Sequence, residues 1–248
     1  MINGINLLFP VLNEHLRLEN GIEKAHAYCE ENLSIPYKMT IIDNGSDDDT
    51  PEIAKHLAEK YKEVEYVRIE ERGVGIAYKT GIEQNEFDIV GYMDIDLSTD
   101  ISYLNKMLKA FEDDPELEYV NGSRFSKDSD TKGRKWYRKI TSMGLVILLK
   151  TVLKMKSSDA VCGFTFTRKE TAERLVKECG PEKGWFYTIE FLLRAERAGM
   201  KIYDMPVEWT EDYNTTVKIW KTIKNYLKNI HRLHKTFKQE DRLNVKKN

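Results

Sequence analysis

Along the first half of the chain, short apolar runs bounded by turn residues alternate with stretches whose apolar positions recur at helical spacing. Residues 5–9 read as a strand ended by Pro10, and 15–31 as a helix. Residues 39–43 form a second strand, closed by the polar turn Asn44-Gly45-Ser46-Asp47. Thr50-Pro51-Glu52 supplies an N-cap and first turn for a helix to about Tyr61. A strand over 64–69, a helix over 75–84 and a strand over 88–93 follow, the last running into Asp94-Ile95-Asp96. A helix over 101–112 and a strand over 118–122 complete this half.

Repeated β-α-β units predict an α/β fold, a mostly parallel, Rossmann-like sheet with helices on both faces. In such sheets ligands bind beyond the carboxyl ends of the strands. Three polar clusters fall there: Pro10 to Glu14, Asp43 to Asp47, and Asp94 to Asp96. The second half reads as a helix over 135–154, a strand over 164–166, helices over 169–178 and 187–198, and a strand over 201–207. A basic amphipathic helix over 216–238 ends the pattern. One domain is the simplest organisation, with 216–248 as a helix and tail belonging to the same unit as 1–215.

Composition narrows the picture. A chain of 248 residues that is 41% hydrophobic can bury a sizeable core and is not disordered. Three cysteines without a CxxC pair read as reduced thiols, which excludes a disulfide framework and gives no structural zinc site. The most apolar stretch, 143–153, contains Lys150 and is too short to span a bilayer, and the first residues lack a basic n-region. The expectation is a cytoplasmic protein with no transmembrane helix or signal peptide.

The net charge of −2 is unevenly spread: 132–156 and 217–248 each carry +8, and the remainder carries −18. Basic, partly apolar segments on an acidic body suggest contact with an anionic surface. No nucleic-acid-binding motif accompanies the charge, so nucleic acid ranks below a membrane. Trp220, Ile223, Leu227, Ile230 and Phe237 recur at helical spacing beside lysines and arginines, which suits a helix lying in a membrane interface. The region 136–153 suits shallow insertion or lining a lipid tail. Core packing or a homodimer contact is the competing reading for both.

The chemistry concentrates in two acidic motifs. If the strand continues through Asp94-Ile95-Asp96, both carboxylates project to one face and offer hard oxygens to Mg²⁺ or Mn²⁺. Asp43-Asn44-Gly45-Ser46-Asp47 suits a turn and helix cap, and equally a carboxylate facing a nucleoside. Other residues have plainer readings. His231 and His234 lack a further ligand, Cys162 lacks a paired histidine, and Gly73-Val74-Gly75 is no dinucleotide fingerprint because Tyr78 occupies the third glycine position.

Taken together, Phe9-Pro10-Val11-Leu12-Asn13-Glu14, Asp43 to Asp47, Gly73-Val74-Gly75-Ile76-Ala77 with Gly81, and Asp94-Ile95-Asp96 resemble the ordered motifs of family 2 glycosyltransferases. Gly122-Ser123-Arg124, the Arg138-to-Ser142 spacing, and Asp159-Ala-Val-Cys162-Gly163-Phe164 resemble the polyprenyl-phosphate branch. Cys-Gly-Phe followed by Phe166-Thr167-Arg168 and Trp209-Thr210-Glu211 is most similar to dolichyl-phosphate glucosyltransferases. The match spans residues 5 to 218.

The resemblance implies a GT-A fold and transfer of a hexose from a nucleotide sugar to a polyprenyl or dolichyl phosphate, peripherally at the cytoplasmic membrane face. UDP-glucose is the favoured donor and GDP-mannose the second. It places Pro10, Val11, Asn13, Glu14, Asp43, Gly45, Ser46, Gly75, Asp94 and Ile95 at the nucleotide. It gives Asp94 and Asp96 the divalent ion, and Arg124, Arg138, Ser142 and Lys218 the acceptor. Asp94, Asp96, Arg124 and Arg138 are the catalytic set.

The sequence also departs from the pattern. Val74 stands where many relatives have a basic residue, Thr216-Val217-Lys218 keeps only the lysine of Gly-Ser-Lys, and Ser98 stands where mannose-transferring relatives often have Gln. A phosphate acceptor is already anionic, so an inverting displacement needs no strong base; Glu190 and Glu211 are candidates for a base by position, and equally for structural hydrogen-bond acceptors. The alternatives are a soluble family 2 enzyme that glycosylates a hydroxyl of a surface polysaccharide, which would need such a base, and a non-catalytic nucleotide-sugar-binding partner.

Overall fold

Strand β1 (Ile5–Val11) is buried along almost its whole length, as a central strand covered on both faces must be. The computed structural model describes residues 2–133, 135–211 and 219–245. After β1 the chain runs through α1 (Leu18–Asn32), β2 (Tyr37–Asn44), α2 (Thr50–Lys60), β3 (Val64–Ile69), α3 (Val74–Glu83), β4 (Ile89–Met93), α4 (Tyr103–Asp113) and β5 (Tyr119–Ser123). It continues through β6 (Asp130–Lys132), α5 (Trp136–Val152), β7 (Phe164–Arg168), α6 (Lys169–Glu178), α7 (Phe186–Arg197), β8 (Ile202–Pro206), β9 (Glu208–Thr210) and α8 (Ile219–Val245).

The main sheet has the order β3-β2-β1-β4-β7-β5-β8. Strands β1 to β4 pair in parallel, and β7 is antiparallel to both β4 and β5. From β1 the chain steps outward to β2 and β3 and then returns to the opposite side of β1 as β4. The loops leaving β1 and β4 therefore diverge and open a crevice at the carboxyl edge. Beside it, β6 and β9 form a two-stranded parallel ribbon.

Period-two alternation sorts the strand side chains into two cores. Leu7, Phe9 and Val11 pack with Ile22 and Ala25 of α1, Leu57 of α2 and Met107 and Phe111 of α4. Leu8, Ile42, Val90 and Tyr92 pack with Tyr78 of α3, Leu175 of α6, and Ile189 and Phe191 of α7. Truncating a side chain such as Phe191 to alanine would cost about 3–5 kcal/mol. Gly81 lets α3 approach the sheet, because a Cβ there would overlap Leu8 and Ile42.

The end of the chain differs from the membrane-lying helix expected from its amphipathic stripe. Ile230, Leu233 and Phe237 of α8 are buried in the second core, so packing against the body accounts for that face. Ion pairs fix the dock: Arg232 and Arg194 both reach the buried Glu190, Arg194 also pairs with Glu240 at 3.0 Å, and Arg197 with Asp241 at 2.6 Å. Asn229 Nδ2 donates to Glu182 Oε2 at 2.7 Å. Leu227 is exposed, and the side chain of Trp220 lies outside the described residues.

Helix α5 behaves oppositely. Only Val146 and Leu149 are buried, while Trp136 is 74% exposed and Ile140, Met143 and Ile147 open to solvent along one side. No helix among the described residues is long and apolar enough to cross a membrane.

Candidate active site

The loops after β1, β2 and β3 are stitched into one surface. Asn13, in the left-handed region at φ 57°, exchanges two hydrogen bonds with Asp47 and donates its N–H to Ser46 Oγ at 2.9 Å. Glu14 N–H donates to Thr50 Oγ1, so Thr50 sits in the first turn of α2 and braces the β1 loop while Asp49 takes the cap position. Asn44 bridges the Val11 carbonyl at 2.7 Å and the Gly73 N–H at 2.9 Å, a structural role its place in a polar turn did not announce.

Asp43 is fully buried and already partnered. Its Oδ1 accepts the Ser46 N–H, and its Oδ2 accepts Tyr66 OH at 3.1 Å and Arg68 Nη1 at 2.8 Å. Arg68 thus enters the site unannounced by any motif. Val11 and Ile95 are core residues, with Ile95 packed where a Cβ on Gly21 would stand, so neither offers a side chain to a ligand. Pro10 is half-buried, in register with Ile42. Gly45 has φ 83°, and Gly75 is pressed against Tyr187 and Gly184, so each glycine answers a backbone requirement.

The two aspartates converge by a turn rather than by strand pleating. Strand β4 ends at Met93, the Leu97 N–H donates to the Asp94 carbonyl at 3.0 Å, and Leu97 takes φ 49°. This corrects the extended geometry expected from the motif. The turn is tied down by the Ser98 N–H on Asp96 Oδ1 and by the Asp94 N–H on the Gly163 carbonyl. Asp94 lies flat on Gly163, where any Cβ would overlap its carboxylate. Burial first, then the negative charge of Asp96 and to a smaller degree Glu14, push Asp94 up to about 7 against the pull of Arg124 and Arg17. Two crowded carboxylates with hard oxygens and unrelieved repulsion fit a divalent cation.

Arg124 and Arg138 each meet a carboxylate. Asp159 receives Arg124 Nε at 2.7 Å and Nη2 at 3.0 Å, and also the backbone N–H groups of Arg124 and Val161. Burial alone would raise Asp159, but the Arg124 guanidinium and these N–H groups hold it below the usual carboxylate range. The guanidinium lies over the rings of Phe125 and Trp209, 5.7 and 5.5 Å from their centroids. Its Nη1 has no hydrogen-bond partner among the described residues. Arg138, in the first turn of α5, pairs with Glu211.

Ser142 donates its hydroxyl to the Arg138 carbonyl at 2.8 Å. Lys218 lies outside the described residues. Glu190 is sealed inside α7 by Arg194, Arg232 and the Gly180 N–H, which leaves no place for it as a base. Cys162 is pushed up to about 12 by burial and stays a packed thiol.

Between the β5 loop and α5 lies a cavity of about 400 Å³. Arg124, Ser126, Ser129 and Lys139 line it together with Phe125, Met143 and Ile147, so cationic and apolar side chains share one cavity. Its Arg124 end is within electrostatic reach of Asp94.

Comparison with known proteins shows the family and the fold. The family described as "Glycosyl transferase family 2" matches residues 7–176. The chain is 28% identical over 221 residues to "Glycosyltransferase AglD" of Haloferax volcanii, covering 88% of this chain and 35% of that protein. It is 29% identical to "Dolichyl-phosphate beta-glucosyltransferase" of Dictyostelium discoideum, covering 84% of this chain and 66% of the relative. The chain therefore spans about a third and just under two thirds of the lengths of these relatives.

Among solved structures, glucosyl-3-phosphoglycerate synthase from Mycobacterium tuberculosis, in complex with Mn²⁺, UDP and glucosyl-3-phosphoglycerate, shares the fold. Its TM-score is 0.61 at 15% identity, over 89% of this chain and 75% of that one. Mannosyltransferase PcManGT from Pyrobaculum calidifontis, in complex with GDP-Man and Mn²⁺, has a TM-score of 0.57 at 17% identity, over 87% and 58%.

Proposed function

Because the chain belongs to glycosyl transferase family 2 and has the GT-A fold of that enzyme class, we propose that this glycosyltransferase moves a hexose to a polyprenyl phosphate at the cytoplasmic face of a membrane. UDP-glucose is the favoured donor and GDP-mannose the second. One observation carries the acceptor: the cavity between the β5 loop and α5 joins Arg124 and Lys139 to Met143, Val146 and Ile147. An anionic headgroup on an isoprenoid tail needs that combination. The relatives named for dolichyl-phosphate glucosyl transfer support the same class.

Asp94 and Asp96 would hold Mg²⁺ or Mn²⁺, which when bound supplies positive charge against the leaving diphosphate. The other tasks fall to protein groups. Asp43 with Arg68 and the stitched β1–β2 loops form the rigid floor for the nucleoside. The remaining N–H groups of Arg124 and Arg138 align the acceptor phosphate for in-line attack, a task suited to a planar guanidinium. Because that phosphate is anionic at neutral pH, attack needs no general base. Both carboxylates that could have served are engaged, Glu190 by two arginines and Glu211 by Arg138. This favours a phosphate over a sugar hydroxyl as acceptor.

The exposed side of α5, with Trp136, Ile140 and Ile147 among lysines, would rest on an anionic bilayer and receive the lipid from it. The test is transfer of radiolabel from UDP-glucose and from GDP-mannose into an organic-extractable lipid fraction, with purified protein and polyprenyl phosphate. Label entering that fraction from one donor supports the reading. Label appearing only in a water-soluble glycan or as free sugar overturns it.

A further inference from the structure

The strand β9 has a position that the motif Trp209-Thr210-Glu211 did not explain. Thr210 N–H donates to the Ser98 carbonyl at 2.8 Å, and Asp100 N–H to the Glu208 carbonyl at 3.1 Å, so β9 is hydrogen-bonded to the segment just after Asp96. The Arg124 guanidinium approaches the Trp209 ring at 5.5 Å, and Glu211, whose N–H donates to the Lys132 carbonyl at 3.1 Å, reaches Arg138. This short strand and the residue after it thus touch the segment following the aspartate turn and both arginines.

The two arginine–carboxylate pairs are built differently. Asp159 is saturated: both oxygens accept, from four N–H groups. That is how a buried ion pair completes its hydrogen bonding. The Glu211 side chain is only 1% exposed, yet among the described residues only Oε1 is used, on Arg138 Nη1, and the buried Oε2 has no hydrogen-bond partner. Arg138 Nε and Nη2 in turn have no hydrogen-bond partner among the described residues. A single-point tether fixes where the guanidinium sits while leaving its other edge to turn toward an incoming anion.

We propose that Glu211 is the positioning residue for Arg138, holding one edge of the guanidinium so that the other meets the phosphate of the acceptor. This rests on the polyprenyl-phosphate reading above and adds the group that sets acceptor affinity. Glu211 acts through Arg138 and takes no proton. Its effect belongs to acceptor binding and not to the donor or the metal.

The experiment compares wild type with Glu211→Ala, Glu211→Gln, Arg138→Ala and the Glu211→Ala/Arg138→Ala double variant. Farnesyl phosphate is the acceptor, and whichever of UDP-glucose and GDP-mannose the wild type uses is the donor. Glu211→Ala should raise the acceptor KM about tenfold or more while the donor KM, the Mn²⁺ requirement and slow donor hydrolysis without acceptor stay within about twofold. Glu211→Gln, which keeps the shape and one acceptor oxygen, should fold like wild type and lose less. The double variant should be no worse than Arg138→Ala, because the two residues act as one unit. A fall in kcat at unchanged acceptor KM, loss of the acid limb of the pH profile, or additive effects would overturn the assignment. If wild type hydrolyses donor but transfers nothing to farnesyl phosphate, the acceptor reading falls and takes this assignment with it. If it transfers and only the variants disagree, the assignment alone falls.

Discussion

The Asp159 carboxylate grips Arg124 with both oxygens, Oδ2 on Nε at 2.7 Å and Oδ1 on Nη2 at 3.0 Å, in surroundings that leave Asp159 fully buried and the arginine side chain 8% exposed. Removing one partner strands the other as an uncompensated buried charge. Asp159→Ala is therefore expected to lower unfolding free energy by about 3–5 kcal/mol, read by urea denaturation. A loss below about 1 kcal/mol would mean that water reaches the pair and screens it.

A second expectation concerns pH. Asp94 is raised to about 7 in the folded protein, against an unfolded value of about 3.9. A raised acid costs nothing below its unfolded value. The penalty then grows as pH climbs between the two, because the unfolded chain releases this proton first, and it is complete above about 7. A divalent cation removes that penalty, so Mn²⁺ should raise the melting temperature more at pH 8 than at pH 6. Equal shifts at the two pH values would speak against ion binding at the aspartate turn.

Gly163 offers a third check. Its missing Cβ leaves the space in which the Asp94 carboxylate lies. Gly163→Ala should leave the circular dichroism spectrum unchanged but weaken Mn²⁺ binding about tenfold or more, because the displaced carboxylate can no longer share an ion with Asp96. Calorimetric titration with Mn²⁺ reads this directly, and wild-type affinity in the variant would show that the seat is not needed.

The outer side of α5 gives the fourth. Trp136→Ala with Ile147→Ser removes two exposed apolar groups that pack on nothing in the core. Stability should change by no more than about 0.5 kcal/mol. Co-sedimentation with anionic liposomes should fall, and should fall again with added salt. Unchanged sedimentation would speak against α5 as a membrane contact.

Much of this architecture could be read in advance, for identifiable reasons. Strands β1 to β4 are short apolar runs closed by turn residues, and the helices between them follow from periodicity. The ribbon of β6 with β9 escaped notice because three-residue strands pairing Asp130 with Glu208 leave no local pattern. The turn at Asp94 has no local signature, because nothing about a leucine announces a left-handed residue at 97.

The stripe on α8 shows a deeper ambiguity. Ile230 and Phe237 have the spacing of a membrane-lying helix, and only the presence of α7 behind them shows that they are core. The arginines were legible as motif residues, but their partners were not. Asp159 lies 35 positions from Arg124, and Glu211 lies 73 from Arg138. Charge pairing at such separations is a property of the folded chain.

The joint between α8 and the loop before α7 has a further consequence. Asn229 and Arg232 hold Glu182 and Glu190, and the adjoining Lys183 and Gly184 press against Gly73 and Gly75 at the start of α3, with the Lys183 carbonyl accepting the Ile76 N–H. Residues 182–184 thus join α8 to the start of α3, beside the loops proposed to hold the nucleotide. Tethers or fusion partners added behind α8 are therefore expected to change affinity at the proposed donor site, far from where they were attached.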